Sequence, residues 1–345
     1  MNLRLLGGLT PRGFLRRHWQ KRPLFVRQAL PAFAGTIGYA ALAELARRDD
    51  VESRIVQRRG TRRDTQHGPF RALRARRKDW TLLVSGVNLH DAGADELLRR
   101  FSFVPQARLD DVMVSYAAPG GGVGPHVDSY DVFLLQGPGR RRWTVWDGVR
   151  KSYDCRPGDL LYLPPGVKHD GVALDACFTY SIGFRAPRGQ ELGAAFLDWL
   201  HARGLPEARY RDPQLRPSSA PARIPPGMID FAARTLGRIR WNRADVAAFL
   251  GEYLTTPKGH VVFGARSARR LRDSVVHLDP KTQLLYSGRR FFINGEAVTV
   301  AAAASSALRS LADRRRAEGR GLARGGLASL VAQWQRNGYV YLERR

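Results

Sequence analysis

The chain is short of cysteine, lysine, acidic side chains and long apolar runs. Among its 345 residues there are two cysteines, Cys155 and Cys177. They lie too far apart for a local redox pair or a thiolate metal cluster, so they read as free thiols in a reducing cytoplasm. A helix that crosses a membrane needs about 20 apolar residues, and AVTVAAAA at 297–304 is far too short. The opening MNLRLLGGLTPRG carries no apolar core of signal-peptide length. A cytoplasmic protein without a membrane partner is therefore expected. Acids are outnumbered: 31 Asp and Glu stand against 57 Lys and Arg, a net charge of +26, and only six of the basic residues are lysine. Two readings stay open, a phosphate-rich partner such as RNA or a general preference for arginine. The excess is scattered along the chain rather than gathered in one tail.

What is present suits a soluble globular protein, with 43% apolar and 26% charged residues. The length suits two or three domains. Residues 11–31 read as a helix followed by the apolar segment PLFVRQ. Residues 39–48 form an amphipathic helix by their spacing, 52–58 alternate like a strand, and 59–78 are a basic, polar loop and hairpin. WTLLVSGVN at 80–88 reads as a buried strand, and 92–101 as a short helix.

From residue 111 the pattern changes to short strands divided by Gly/Pro turns: DVMVSYAA, DVFLLQ, RRWTVW, DLLYL and FTYSIGF. Strands punctuated in this way point to a double-sheet antiparallel architecture such as a jelly roll. His126 and Asp128 follow a glycine-rich turn, and alternation along a strand lets both reach one point while Val127 faces away. His169 stands beyond another turn, after LPPG. Two histidines and one carboxylate are the donor set of a non-haem Fe(II) site with three open positions. Catalytic zinc leaves one open position, and structural zinc usually takes cysteine. Arg141, Trp143 and Val145 share one strand face, as do Met113 and Ser115. An arginine pointing into a barrel requires a carboxylate partner. A dicarboxylate co-substrate held by Arg141 and the Ser115 hydroxyl meets that requirement.

The segments PGGGVGPHVDSYDVFLLQGPGRRRW, PGDLLYLPPGVKH and YSIGFRAP, with FLRRHWQKRPLFVRQA and VESRIV upstream, resemble the bacterial JmjC-type (cupin) ribosomal oxygenases over about residues 13–190. The resemblance implies an α+β protein with a double-stranded β-helix (jelly-roll, cupin/JmjC) core. It implies Fe(II) held by His126, Asp128 and His169, and 2-oxoglutarate held at its far carboxylate by Arg141 and Ser115. O2 is the second co-substrate, and the substrate is a side-chain carbon of a ribosomal protein. The closest members act on the β-carbon of an arginine in the sixteenth large-subunit protein; eukaryotic relatives act on histidines. Tyr130 and Asp131, just beyond Asp128, are the expected contacts to a cationic substrate side chain.

Beyond residue 190 the chain reads as helices at 191–203, 228–238 and 242–254, separated by a Pro/Arg/Ser-rich linker at 204–227. Asn242 is the expected N-cap of the third helix, with Asp245 three residues on. Residues 283–300 read as strand, turn and strand. Helices at 301–317 and 327–336 and a closing strand at 338–342 follow, together a winged-helix-like unit. The division expected is 1–190 catalytic, 191–255 helical and dimer-forming, and 256–345 winged-helix-like. Direct nucleic-acid binding by the last part is not expected, since no base-reading face is evident. The reading from another class is a non-catalytic metal-binding cupin sensor joined to a nucleic-acid-binding winged helix. Arg141 discriminates, because a sensor has no need of a carboxylate clamp beside an open metal site.

Overall fold

The computed structural model describes residues 3–60, 62–73, 77–271 and 273–344. Up to Phe184 the strands are β1 (Leu24–Val26), β2 (Ser53–Arg59), β3 (Arg62–His67), β4 (Trp80–Val84), β5 (Leu109–Ala117), β6 (His126–Val127), β7 (Val132–Gln136), β8 (Arg141–Asp147), β9 (Val149–Cys155), β10 (Leu160–Leu163), β11 (Lys168–Ala173) and β12 (Cys177–Phe184). They form an eight-stranded sheet, ordered β1-β10-β7-β12-β5-β4-β2-β3, and a four-stranded sheet, ordered β6-β11-β8-β9. Apart from the consecutive pairs β2–β3, β4–β5 and β8–β9, neighbours in both sheets are distant in sequence, as in a jelly roll. Its short connections are the Gly/Pro turns of the sequence; Gly139, Gly158 and Gly166 take the left-handed backbone that these turns require.

β7 shows how the layers are made. Its VFLLQ run is buried along its whole length, and successive side chains divide between two faces. Phe133 and Leu135 enter the large core, whereas Val132 and Leu134 join Trp143, Val145, Leu161 and Leu163 in a smaller cluster. The large core is aromatic: Phe133 lies 5.4 Å from Phe14, 4.8 Å from Phe101 and 4.8 Å from Tyr162 between ring centroids. Three helices contribute to it, α1 (Pro11–Arg17), α2 (Tyr39–Leu45) and α3 (Ala92–Arg99). Thr10 caps α1 and Pro11 opens it, a position where a missing N–H costs nothing. The strand expected through Asn88 ends at Val84. Gly86 is left-handed, and Val87–Leu89 form a 3-10 turn.

The chain divides into two compact units, the first holding residues up to 186, 257–282 and from 303 onward, the second 187–256 and 283–302. In the second unit α4 (Gly189–Ala202), α5 (Pro226–Leu236) and α6 (Arg243–Thr255) accompany a meander of β14 (Leu284–Ser287), β15 (Arg290–Ile293) and β16 (Glu296–Thr299), numbered after β13 (Ser274–Leu278) of the first unit. The strand, turn and strand expected here are three strands, because two tight turns are present. Gly288 lies in one, and Asn294 with Gly295, both at positive φ, forms the other. Asn242 caps α6 as expected: its side chain accepts the Ala244 and Asp245 amides, and Asp245 accepts the Asn242 amide. The first unit gains a further sheet from β13, β17 (Arg316–Glu318) and β18 (Val340–Arg344), with α7 (Ala302–Arg314), α8 (Gly319–Arg324) and α9 (Ala328–Arg336).

Asp131 corrects an expectation. Rather than standing on a substrate approach, it is fully buried. It accepts hydrogen bonds from Tyr162 at 2.6 Å and Gln20 at 3.0 Å, and lies 3.4 Å from Arg108. Alternation explains this: Asp131 faces with Phe133 toward the aromatic core, on the opposite side from Tyr130 and Val132. Asp131→Ala strands the buried Tyr162 hydroxyl and should destabilise the fold by about 2–3 kcal/mol. Urea unfolding measures this, and a loss below about 0.5 kcal/mol would contradict the anchoring role.

Candidate active site

The two sheets flank a cavity of about 560 Å³. One wall is β8 and the loop around β6, carrying Arg141, Trp143, His126 and Asp128. The other is β2, β3, β4, β5 and β12, carrying Val56, Thr65, Leu83, Met113, Ser115 and Ser181. His169 arrives from β11, where it pairs with both His126 of β6 and Val145 of β8. That register is what assembles the cluster. His126 and His169 face each other across two adjacent strands, with ring centroids 4.2 Å apart, and Asp128 sits just past the end of β6.

The donor atoms of His126, Asp128 and His169 all lie within 4.8 Å of one another. The Asp128 carboxylate is 3.8 Å from His126 Nε2 and 3.6 Å from His169 Nε2. Each ring is oriented by its other nitrogen: His126 Nδ1 lies 2.9 Å from the Gly124 carbonyl, and His169 Nδ1 lies 3.0 Å from the Val167 carbonyl. A carbonyl only accepts, so Nδ1 carries the proton and Nε2 offers its lone pair to the centre. Burial holds the His169 imidazole below its ordinary pKa, which keeps it neutral. Two neutral imidazoles and a carboxylate on one side of a point, with open cavity on the other, fit a divalent first-row metal.

Arg141 lies deeper. It is 4% exposed, its Nη1 donates to Ser115 Oγ at 3.4 Å, its guanidinium lies 5.7 Å from the Trp143 ring centroid, and its Nε and Nη2 have no hydrogen-bond partner among the described residues. The Thr81 and Thr179 hydroxyls are likewise buried and unpaired. A buried guanidinium with unused donors is costly unless an anion completes it. The fork fits the carboxylate of a small diacid whose other end reaches the metal. The structure thus brings His126, Asp128, His169, Arg141 and Ser115 around one cavity, adds Tyr130 at its rim, and keeps Asp131 out.

Sequence reasoning missed Asp111. It lies two residues before Met113 on β5, where the pairing with β12 shifts register between Val112 and Leu109, so strand alternation alone does not place it. Its carboxylate accepts the Gly86 amide at 2.8 Å, and no cationic side chain is hydrogen-bonded to it. Burial first, then the neighbouring Asp110 carboxylate, push its pKa up to about 6, while Lys258 opposes the shift. Asp110 by contrast has cations of its own, Arg185 at 3.4 Å and Lys258 at 3.3 Å.

Fold and site together define a metal-binding double-stranded β-helix. The JmjC domain family matches residues 96–156 and 151–192, and the ROXA-like winged helix family matches 238–341. The structure is similar to that of YcfD, a ribosomal oxygenase from Escherichia coli, with a TM-score of 0.82 and 31% identity over 97% of this chain and 98% of that one. Another structure of YcfD, similar to the same degree with a TM-score of 0.83, is a complex with cobalt and 2-oxoglutarate. The Escherichia coli ribosomal protein uL16 3-hydroxylase is 39% identical over 237 residues, 63% of this chain and 64% of that protein. Human ribosomal oxygenase 1 is 27% identical over 208 residues, 50% of this chain and 32% of that protein. The chain thus aligns with less than two thirds of the length of these curated relatives. It belongs to the JmjC-type ribosomal oxygenase family.

Because the aromatic core lies apart from the metal cluster, the two are separable. Asp128→Ala should weaken Co(II) binding at least tenfold, read by titration, and leave the thermal midpoint within a few degrees. Undiminished Co(II) affinity would remove Asp128 from the metal site.

Proposed function

We propose that this chain is an Fe(II)- and 2-oxoglutarate-dependent oxygenase. Its substrate is a ribosomal protein, and it hydroxylates the β-carbon of an arginine, as the relative named uL16 3-hydroxylase suggests. The observation that carries the reading is the buried Arg141 guanidinium with two unused donors, facing the same cavity as the His126–Asp128–His169 cluster. His126, Asp128 and His169 would hold the metal, and Arg141 with Ser115 would hold the far carboxylate of 2-oxoglutarate. With O2, the bound metal and co-substrate supply the oxidising power to place one oxygen in a C–H bond, releasing CO2 and succinate.

The residues of the chain do the positioning. The Gly124 and Val167 carbonyls fix both imidazoles in the tautomer that presents Nε2. Arg141 orients the co-substrate along the cavity axis, with the apolar walls of Leu134, Leu83 and Trp143 beside it. For the substrate we assign Asp111 the place that Asp131 does not fill. Its part-buried carboxylate, which already accepts the Gly86 amide, would take a guanidinium with its remaining acceptor capacity, while Met113 and the Tyr130 ring pack along the methylenes. The tight placement of one side chain decides which hydrogen is lost. A histidine offers less charge to Asp111 at neutral pH, so arginine is the favoured target.

Assembly belongs to the same reading. In the second unit Phe196 lies against Phe249, 5.2 Å between rings, and Phe249 is interior. Leu197, Ile229, Leu236 and Trp241 are more than half exposed, an apolar surface on the helices of that unit. We propose that it is the face of a homodimer. The described residues include no helix long and apolar enough to cross a membrane.

The direct test is incubation with a peptide from the uL16 protein. Mass spectrometry should show one added oxygen, absent when Fe(II) or 2-oxoglutarate is omitted; oxidation of a histidine peptide alone would keep the class and overturn the substrate. Arg141→Ala should weaken 2-oxoglutarate binding roughly ten- to a hundredfold, the equivalent of about 1.5–3 kcal/mol. An unchanged half-saturation would place the clamp elsewhere. Asp111 takes up a proton below about 6 and then cannot pair with a cation. The KM for the arginine peptide should therefore fall as pH rises from 5 to 7. In Asp111→Asn it should be higher and lose this dependence, and the same pH dependence in both proteins would exclude Asp111.

A further inference from the structure

The rim of the cavity is unlike on its two sides. Near Tyr130 it carries Asp128, and the charges of Asp111 and Asp110 on β5 act on Tyr130 from behind it. On the opposite side stand Arg54, Arg63 and His67 of β2 and β3, and beyond them the basic residues thicken. β3 is the outer strand of the eight-stranded sheet and is exposed along its whole length. Its hairpin with β2 pairs Arg58 with Arg63 and Arg59 with Arg62. The Arg58 amide donates to the Asp79 carbonyl, so residues 77–78 run beside the same hairpin end. Directly opposed residues share a face and neighbours along a strand alternate, so Arg58 and Arg63 lie on the cavity side of the hairpin end and Arg59 and Arg62 on its outer side, with Arg77 and Lys78 alongside. The only acids in 58–79 are Asp64, which Arg59 meets at 3.4 Å, and Asp79. The patch adjoins the metal loop, since the Arg63 guanidinium packs on Gly124, two residues before His126.

Like charges at this density repel, and they persist on a surface where a polyanion completes them. Residues 58–60, 62–67 and 77–78 include no Phe, Tyr or Trp, and their one ring is the His67 imidazole at the cavity side, so the hairpin end suits phosphates rather than a run of stacked bases. We propose that this basic hairpin end binds the phosphate backbone of folded RNA beside the catalytic mouth. The proposal rests on the ribosomal-protein reading above. A substrate protein carrying its RNA would present both signs at once: RNA phosphates to the hairpin, and a cationic side chain to Asp111. This also meets the objection that a chain of net charge +26 repels a basic substrate, because the RNA supplies the attraction.

A chain this basic binds nucleic acid weakly by bulk charge, so the test must separate place from amount. Three proteins are compared: wild type, the hairpin variant Arg59→Gln/Arg62→Gln/Lys78→Gln, and the linker variant Arg209→Gln/Arg211→Gln/Arg216→Gln, equal in charge. Fluorescence anisotropy with a 20-base-pair RNA helix is measured between 50 and 200 mM salt, with a DNA duplex of the same sequence in parallel. The hairpin variant should bind RNA at least tenfold more weakly at 100 mM salt. Its plot of log affinity against log salt should be shallower by about 2. The linker variant should stay within twofold of wild type, and RNA should bind at least as tightly as DNA. Equal losses in both variants, no loss in the hairpin variant, or tighter binding of DNA would each overturn the proposal. Hydroxylation of the isolated peptide is read in the same proteins. The hairpin variant should retain it, so loss of the RNA site and failure of the hydroxylase reading are told apart.

Discussion

The buried guanidinium of Arg141 sets the terms for the rest of the site. A charge placed between two sheets is tolerated only when its donors find an anion or the structure bends to supply one. Here the described residues offer the Ser115 hydroxyl and the face of the Trp143 ring, leaving Nε and Nη2 without a hydrogen-bond acceptor. The interior of the barrel is thus incomplete by itself, and a small anion completes it. The metal cluster at the other end of the same cavity is incomplete in a complementary way, with three donors on one side. One molecule with a carboxylate at each end satisfies both deficits.

Stability comes from elsewhere. Phe14, Phe101, Phe133, Tyr162 and Phe184 pack on the face of the large sheet that turns away from the cavity, and Asp131 fastens Tyr162, Gln20 and Arg108 on that face. This separation leaves the cavity face free to carry charged and unsatisfied groups. β7 joins the two sides, its alternate residues belonging to the core and to the cavity. A substitution at Phe133 and one at Leu134 therefore test different properties, though the residues are neighbours.

Much of this was legible in the sequence because strand alternation is a strict rule. His126 with Asp128, Arg141 with Trp143, and Met113 with Ser115 were placed on common faces by counting twos, and the Gly/Pro turns marked where strands end. The same counting applied to Asp131 sets it with Phe133 rather than with Tyr130, whereas at Asp111 the register of β5 against β12 shifts and counting by twos no longer decides the face. What alternation does not yield is which strands become neighbours. That His169 pairs with His126 on one side and Val145 on the other follows from long-range register. So does the convergence of 58–63 with 77–78. The short strands β13 and β17 escaped for a related reason: SVVHL and RAE are too brief to stand out until a partner strand is beside them.

The scattered arginines posed a question that composition alone left open, since a general preference for arginine and a functional surface give the same count. Position separates them. Arg315 is buried and spends its donors on the Thr282 and Asp279 carbonyls. Arg48, Arg99 and Arg142 are each matched to an aspartate close by. At the end of the β2–β3 hairpin Arg58 stands opposite Arg63 and Arg59 opposite Arg62, with Arg77 and Lys78 alongside, and Arg63 packs on Gly124 beside the catalytic mouth. A bias in composition has no reason to concentrate there. The acidic rim near Asp128 has the opposite sign within the same opening, so a partner is oriented by both ends. A partner that carries both signs, a cationic side chain with phosphates beside it, meets both sides of such a mouth at once.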